Sequence, residues 1–481
     1  MPAVQKLDSY VVKVGNMVVN VEISLSDKDF VPLYRISILN ISPITAVVLN
    51  KIKEEFVSKV AAGTIDVNAI AEHEKIKAVF SKEITTLIHK YFPNIDEKSL
   101  NLLREHVMQE NIGLGNLEVL LSDGHLEEVV VNNSKEPVWV YHREFGWLKT
   151  NIRVPSEARI RHYATMIGRD SQKEITVLSP LLDARLPSGD RVNATLQPIS
   201  AQGNTITIRK FLERPWTITD FIKSKTFNYE IAALVWLAIQ YELSILVAGG
   251  TGSGKTSALN VLCSFFPPNQ RIISIEDTRE LVLSENLHWV PLVTRAPNPE
   301  GKGEVTMLDL TVNSLRMRPD RIVVGEIRRK REAEVLFEAM HTGHSVYGTL
   351  HSNNAHDAVV RLTNPPIDIP KMMLPVVPLM LVMSRNRRTG LRRALQLAEI
   401  METGDPRILY QHDPQRDEIM KVRDPTRFYE ILKLYSGLTP KQIEVDLENK
   451  VKILKWLVQN SIVDINKIGL TLAKYYTGRL K

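Results

Sequence analysis

Cysteine is all but absent from this chain. Its 481 residues include only Cys263, which excludes an intramolecular disulfide and any zinc site built from several cysteines. The thiol sits in an apolar run, Val261-Leu262-Cys263, and reads as a small buried hydrophobe. Long hydrophobic runs are missing too. The most apolar stretch, residues 372–383, contains Pro375 and Pro378 and is about half of the ~20 residues that a membrane span needs. Asp8 and Lys13 interrupt the beginning of the chain, where a secretory leader would be apolar. A cytoplasmic protein is expected. Charge of one sign is weak: the net +6 is the small difference between 61 basic and 55 acidic side chains. That leaves nucleic acid without an electrostatic footprint and reads as a solvated surface. There is no low-complexity tract and no repeat.

What is present is globular composition, 44% apolar and 24% charged, in a chain long enough for about three units. Residues 10–24 are valine-rich and partly alternating, which predicts a strand or hairpin. From 44 to 110 apolar positions recur three and four apart, the helical period. Gly113 and Gly115 then mark a boundary. A mixed or helical N-terminal module is therefore expected over 1–114, and a smaller α/β domain over 115–212. A linker follows over 213–227. From 228 to 400 short β-rich runs alternate with longer stretches, the pattern of a parallel sheet covered by helices. Residues 401–481 are expected to form a helical C-terminal region. The fold class is α/β.

One motif carries specific chemistry. Gly249-Gly250-Thr251-Gly252-Ser253-Gly254-Lys255-Thr256 follows a predicted strand at 243–248 and precedes a predicted helix through about residue 266. A glycine, four residues and Gly-Lys-Thr form a phosphate-binding loop, in which glycines let backbone amides wrap the phosphates. The helix N-terminus adds partial positive charge at the same place. Gly250, Thr251, Gly252, Ser253, Gly254 and Lys255 are the expected nucleotide contacts, with Thr256 and Ser257 opening the helix. The Thr256 hydroxyl is the expected Mg²⁺ contact. Two further strands end in acids: Ile272-Ile273-Ser274-Ile275-Glu276-Asp277 and Ile322-Val323-Val324-Gly325-Glu326. In an open α/β sheet, strand ends face the ligand crevice. A third strand is bracketed by His344 and His351, with no cysteine or carboxylate at zinc-ligand spacing, so no zinc is expected.

Taken in order, these segments resemble the secretion-ATPase superfamily that powers type II secretion, type IV pili and archaella. GGTGSGKT is similar to its Walker A, IEDTREL to its aspartate box, LRMRPDRIVVGEIRRKRE to its Walker B region and TGHSVYGTLHSN to its histidine box. Upstream, SPLLDARLPSGDRVNATL and TITIRKF resemble the end of the family's N-terminal domain in its archaeal form, and RLTNPPIDIP fits downstream. The resemblance implies a RecA-like core and a homo-hexameric motor that hydrolyses ATP with Mg²⁺. It also implies a polytopic membrane platform protein as partner, with the ring held against the inner face of the cell membrane. It implies Glu326 as the catalytic glutamate, Glu276 and Asp277 ordering water and Mg²⁺, and His344 and His351 near the phosphates. Gly325 stands where many phosphate-loop enzymes carry an aspartate. Among the arginines between the boxes, Arg316, Arg318 and Arg328 are the candidates for charge stabilisation at a subunit interface. The alternative is a DNA-translocating RecA-like ATPase of conjugation or helicase type.

Overall fold

The structure, a computed structural model, describes residues 4–15, 17–27, 29–38, 43–61, 73–171, 173–211, 214–297 and 301–479. The chain divides into two compact units, residues 1–213 and 214–481.

Unit 1 is built on one nine-stranded sheet. Its strands are β1 (Val4–Val14), β2 (Met17–Ser26), β3 (Leu33–Ile38), β4 (Leu126–Val131), β5 (Trp139–His142), β6 (Gly146–Thr150), β7 (Leu181–Arg185), β8 (Arg191–Thr195) and β9 (Thr205–Arg209). Their order is β1-β2-β3-β6-β5-β4-β9-β8-β7. Every neighbouring pair is antiparallel except β3 and β6, where Leu33 faces Lys149 and Tyr34 faces Thr150. That pairing joins the N-terminal meander to the later strands, so one sheet runs across the position where the glycines at 113 and 115 suggested a boundary. Helices α1 (Pro43–Ala61), α2 (His73–Tyr91), α3 (Glu97–Ile112), α4 (Leu117–Ser122) and α5 (Glu157–Asp170) complete the unit. Helix α5 starts at Ser156, whose side chain accepts the amide of Arg159 and satisfies an otherwise orphaned donor. Of the helical stretch expected over 44–110, residues 62–72 lie outside the described residues, as does Glu213 at the start of the expected linker.

Unit 2 holds the second nine-stranded sheet. The strands are β10 (Ile245–Gly249), β11 (Arg271–Glu276), β12 (His288–Val293), β13 (Arg321–Val324), β14 (Ser345–Leu350), β15 (Leu379–Arg385), β16 (Arg392–Ile400), β17 (Pro406–Asp413) and β18 (Glu418–Lys421). The order is β12-β11-β13-β14-β10-β15-β16-β17-β18. Strands β12 to β15 pair in parallel and the last three add antiparallel. Strands β10, β13 and β14 are buried along their whole length, which is why they read as unbroken apolar runs and not as alternating ones. On β10, Ile245 and Val247 belong to one core cluster and Leu246 and Ala248 to another, the two faces of a covered sheet.

The first face is packed by helices α7 (Tyr229–Gln240), α8 (Lys255–Cys263), α12 (Arg427–Ser436), α13 (Pro440–Gln459) and α14 (Ile465–Tyr476). The second is packed by α10 (Lys330–His341) and α11 (Ala355–Thr363), with α9 (Met307–Leu315) beside β11 and β12. Two findings differ from the sequence reading. The segment 213–227 contains a helix, α6 (Ile218–Lys223), held by a capping box between Thr217 and Asp220. The C-terminal region opens with strands β17 and β18, and its helices begin only at Arg427. These two strands have mixed polarity and lack the apolar runs of the parallel strands. Among the described residues no helix is long and apolar enough to cross a membrane.

Candidate functional site

Three neighbouring parallel strands bring the site together. Strand β14 lies between β10 and β13, with Ala248 paired to Leu350 and Val324 paired to Gly348. The loop after β10, Glu326 after β13 and His351 after β14 therefore leave the same edge of the sheet side by side.

The loop over residues 249–256 is shaped by its glycines. A Cβ at Gly249 would lie 2.4 Å from Ser253 Oγ and 2.7 Å from the Met383 carbonyl, so only glycine fits this approach. Gly254, which caps α8, has φ +90°, a conformation that L side chains rarely adopt. Lys255 and Ser253 are buried, Thr251 is exposed, and Gly250, Gly252, Gly254, Thr256 and Ser257 are partly covered. The Gly250 carbonyl accepts from Lys255 Nζ at 3.0 Å and from Ser253 Oγ at 2.8 Å. Lys255 Nζ also stands 3.3 Å from His351 Nδ1. Burial pushes the lysine pKa down, and Glu326 and Glu280 pull it back up.

Glu326 completes the line. Its Oε1 is 3.2 Å from His351 Nε2, and its Oε2 accepts from Arg328 Nη2 at 2.8 Å. A lysine can only donate, so His351 accepts at Nδ1 and carries its proton at Nε2, donating it to Glu326. The neutral ring fits its surroundings. Burial and the Lys255 charge hold its pKa below the ordinary histidine value, against the pull of Glu326. For Glu326, burial acts to raise the carboxyl pKa. The Arg328 hydrogen bond and charge, with His351 and Lys255, outweigh it and keep the pKa below the usual range. The backbone around Glu326 is pinned by Gly325 N–H to the Ile275 carbonyl at 2.8 Å and Ile327 N–H to the Thr349 carbonyl at 2.9 Å.

The other sequence candidates separate. Glu276 is buried, and its Oε1 accepts the amides of Glu280 at 2.8 Å and Leu281 at 3.1 Å, which makes it the organiser of the loop after β11. Asp277 accepts from Arg328 Nη1 at 2.5 Å and stands 3.3 Å from Thr294 Oγ1. Arg328 thus clamps Asp277 and Glu326 within one chain. Arg316 and Arg318 are exposed on the turn after α9, and their side chains make no hydrogen bond or ion pair to the described residues. Arg321 belongs to the core: its guanidinium bonds Gln270 Oε1, the Ile239 carbonyl and the Tyr347 hydroxyl, and it is fully buried.

His344 departs from expectation. It precedes β14, at the opposite end of the strand from His351, and its Nδ1 lies 3.2 Å from the Ala339 carbonyl. Six strand residues at about 3.3 Å each separate the two ends by roughly 20 Å. His344 is out of reach of its own chain's glycine loop. Conversely, sequence reading passed over Asn353, whose Oδ1 stands 3.2 Å from where a Gly250 Cβ would be. It also passed over Arg392, whose Nε donates to the Gly252 carbonyl at 3.0 Å.

The arrangement can hold a polyphosphate in a glycine cradle beside a lysine and an ionised carboxylate. Among the described residues no group of three or more histidine, cysteine or acidic side chains could hold a metal ion. The oxygen donors of Thr256 and Asp277 are of the hard kind that suits Mg²⁺ shared with a substrate phosphate.

Comparison with known proteins identifies a family. Residues 112–387, more than half of the chain, match the family model described as type II/IV secretion system protein. An uncharacterized protein of Methanocaldococcus jannaschii is 34% identical over 399 residues, covering 80% of this chain and 71% of that one. A second protein of that organism is 47% identical over 240 residues, 48% of this chain and only 32% of its own length. The type IV secretion system protein PtlH of Bordetella pertussis is 31% identical over 306 residues, 57% of this chain and 89% of its own. The solved ATPase DotB of Legionella pneumophila aligns over 74% of this chain and 94% of its own, with 19% identity and a TM-score of 0.45. A likeness that low carries no functional weight. The matched segment contains the glycine loop, Glu326 and His351, and the chain belongs to the type II/IV secretion ATPase family.

Proposed function

We propose that this chain is a motor ATPase that hydrolyses ATP at the 249–256 loop and uses the cycle to assemble a type IV pilus-like or archaellum filament. The observation that carries the hydrolytic part is the line Lys255–His351–Glu326, which joins the phosphate loop to a carboxylate held ionised. In this reading the loop amides and Lys255 take the β- and γ-phosphates. Glu326 orients the attacking water and receives its proton, while His351 fixes the carboxylate relative to the lysine. Mg²⁺, with Thr256 and Asp277 as the residues that would hold it, would neutralise phosphate charge. Arg328 sets the positions of Glu326 and Asp277 together, and Glu276 shapes the loop behind them.

The finer reading is a homo-hexamer with Arg316 and Arg318 facing the nucleotide of the adjacent subunit, coupled to a polytopic platform protein at the inner face of the membrane. Its support is family membership together with two exposed arginines, with no side-chain partner among the described residues, on the turn that leads into the strand ending before Glu326. The hydrolytic core is tested by phosphate release from the wild type, Lys255→Ala and Glu326→Gln. Lys255→Ala is expected to lose triphosphate affinity, and Glu326→Gln to bind ATP with turnover down by on the order of 10²-fold or more. Normal turnover by Glu326→Gln would remove the glutamate from the role. Stimulation of turnover by DNA would favour a nucleic-acid motor instead.

A further inference from the structure

The outer side of the glycine loop is lined by a hairpin that the hydrolytic reading leaves unused. Strand β15 runs beside β10 and turns at residues 386–391, closed by Asn386 N–H to the Leu391 carbonyl at 2.8 Å, into β16. Arg392, the first residue of β16, donates from Nε to the Gly252 carbonyl at 3.0 Å. Its Cδ also stands 3.3 Å from where a Cβ at Gly254 would be. A peptide unit is planar and trans, so fixing the Gly252 carbonyl outward fixes the Ser253 amide in the opposite direction. That amide is one of the donors that a phosphate loop presents. In this conformation it meets the Gly250 carbonyl at 3.3 Å.

Arg392 is itself anchored to one place. Its carbonyl accepts from Thr226 Oγ1 at 3.1 Å, and two residues on, the Ala394 N–H donates to the Thr226 carbonyl at 2.9 Å. Between them Arg393, buried and bonded to both oxygens of Asp417 at 2.7 and 2.8 Å, donates to the Ser224 carbonyl at 3.0 Å. Ser224 and Thr226 sit between α6 and α7, in the first connection after the chain enters unit 2 at residue 214.

We propose that Arg392 is a positioning residue. It sets the orientation of the Gly252–Ser253 peptide for phosphate binding and ties that peptide to the segment 224–226, so that occupancy of the loop is felt at the entrance to unit 2. The inference rests on the reading of the loop as an ATP site. Its chemistry is separable from charge: glutamine carries an amide N–H at the same distance along the side chain as the arginine Nε–H, without the positive charge.

The test measures ATP and ADP affinity, kcat and KM for the wild type, Arg392→Ala and Arg392→Gln. Amide hydrogen exchange at Ala394 is followed with and without Mg²⁺-ADP. Arg392→Ala is expected to weaken nucleotide binding about tenfold, the scale of a hydrogen bond from a charged donor, with a smaller change in kcat. Arg392→Gln should recover most of the affinity. Nucleotide should slow exchange at Ala394 in the wild type and in Arg392→Gln, and leave it unaltered in Arg392→Ala. Unchanged affinity in Arg392→Ala, a glutamine variant as weak as the alanine one, or a wild-type Ala394 amide indifferent to bound nucleotide each overturns the proposal. A wild type that binds no nucleotide at all would instead sink the ATP reading beneath it.

Discussion

His351 reaches Glu326 through Nε2 at 3.2 Å while its other nitrogen faces Lys255 at 3.3 Å, so one neutral ring fixes the distance between phosphate-binding lysine and carboxylate. Replacing it with alanine removes both contacts and leaves the lysine and glutamate in place. The expected result is a fall in kcat of about 10- to 100-fold with ATP affinity changed by less than tenfold, the pattern of lost positioning. Steady-state kinetics paired with nucleotide titration separate the two. Equal losses in affinity and kcat would move His351 from positioning to phosphate binding.

Arg328 makes a pH prediction. Its hydrogen bond and charge hold the Glu326 carboxyl below the ordinary value, so in the wild type the glutamate remains a carboxylate well into the acid range. Arg328→Ala removes the main lowering influence and leaves burial, which raises the pKa. The acid limb of kcat/KM should therefore move to higher pH in the variant, with activity recovering toward neutrality. A limb that stays put would mean that another group governs it.

How far this site could be read beforehand depends on what each feature encodes locally. The glycine loop is legible because its φ requirements and its lysine lie within eight consecutive residues. The parallel strands are legible because burial on both faces makes them continuous apolar runs. Glu276 and Glu326 look alike in sequence, each just after such a run. Only the amides of Glu280 and Leu281 folding back onto Glu276 distinguish the loop organiser from the site carboxylate. His344 and His351 look alike too, and strand direction alone assigns them to opposite edges. Arg392 was illegible: it sits in a basic turn, and its partner Gly252 is 140 positions away.

Lys450 anchors the C-terminal helices and makes stability depend on pH. It is fully buried on α13, with Nζ 2.5 Å from Asp446 Oδ1, 3.1 Å from the Tyr475 hydroxyl, and 5.3 Å from the ring centre of Trp236. Burial pushes its pKa down to about 8, against the pull of Asp446. The unfolded chain, with an ordinary lysine, holds the proton more tightly, so stability should rise as pH climbs from about 8. The rise ends near pH 10, where the tyrosines begin to ionise in the unfolded chain. Burial holds the pKa values of Tyr475 and Tyr476 above the ordinary value. Lys450→Met should abolish a gain of roughly 1–3 kcal/mol across that window while keeping the packing volume. Urea unfolding at pH 7.5 and 9.5 measures it, and parallel pH profiles in the two proteins would refute the assignment.

The last prediction concerns arginines acting between subunits. Arg328 is committed within its own chain to Asp277 and Glu326, whereas Arg316 and Arg318 are exposed and their side chains have no hydrogen bond or ion pair to the described residues. Arg318 also has φ +54°, a costly conformation for a side-chain-bearing residue. A planar cation delivered across an interface stabilises a phosphoryl-transfer transition state by on the order of 10³-fold or more. It would also make hydrolysis wait for ring closure. Arg316→Ala and Arg318→Ala subunits keep their own glycine loop, and Lys255→Ala subunits keep both arginines. Each variant alone should therefore be nearly inactive, and mixed rings should regain activity at junctions where an intact loop meets an intact arginine. Arg328→Ala, whose defect lies in its own chain, should gain much less from mixing with Lys255→Ala. Mass analysis must confirm that the rings are mixed. Recovery confined to the Arg316 and Arg318 pairings places those guanidinium groups in trans, and its absence in confirmed mixed rings returns them to the solvated surface.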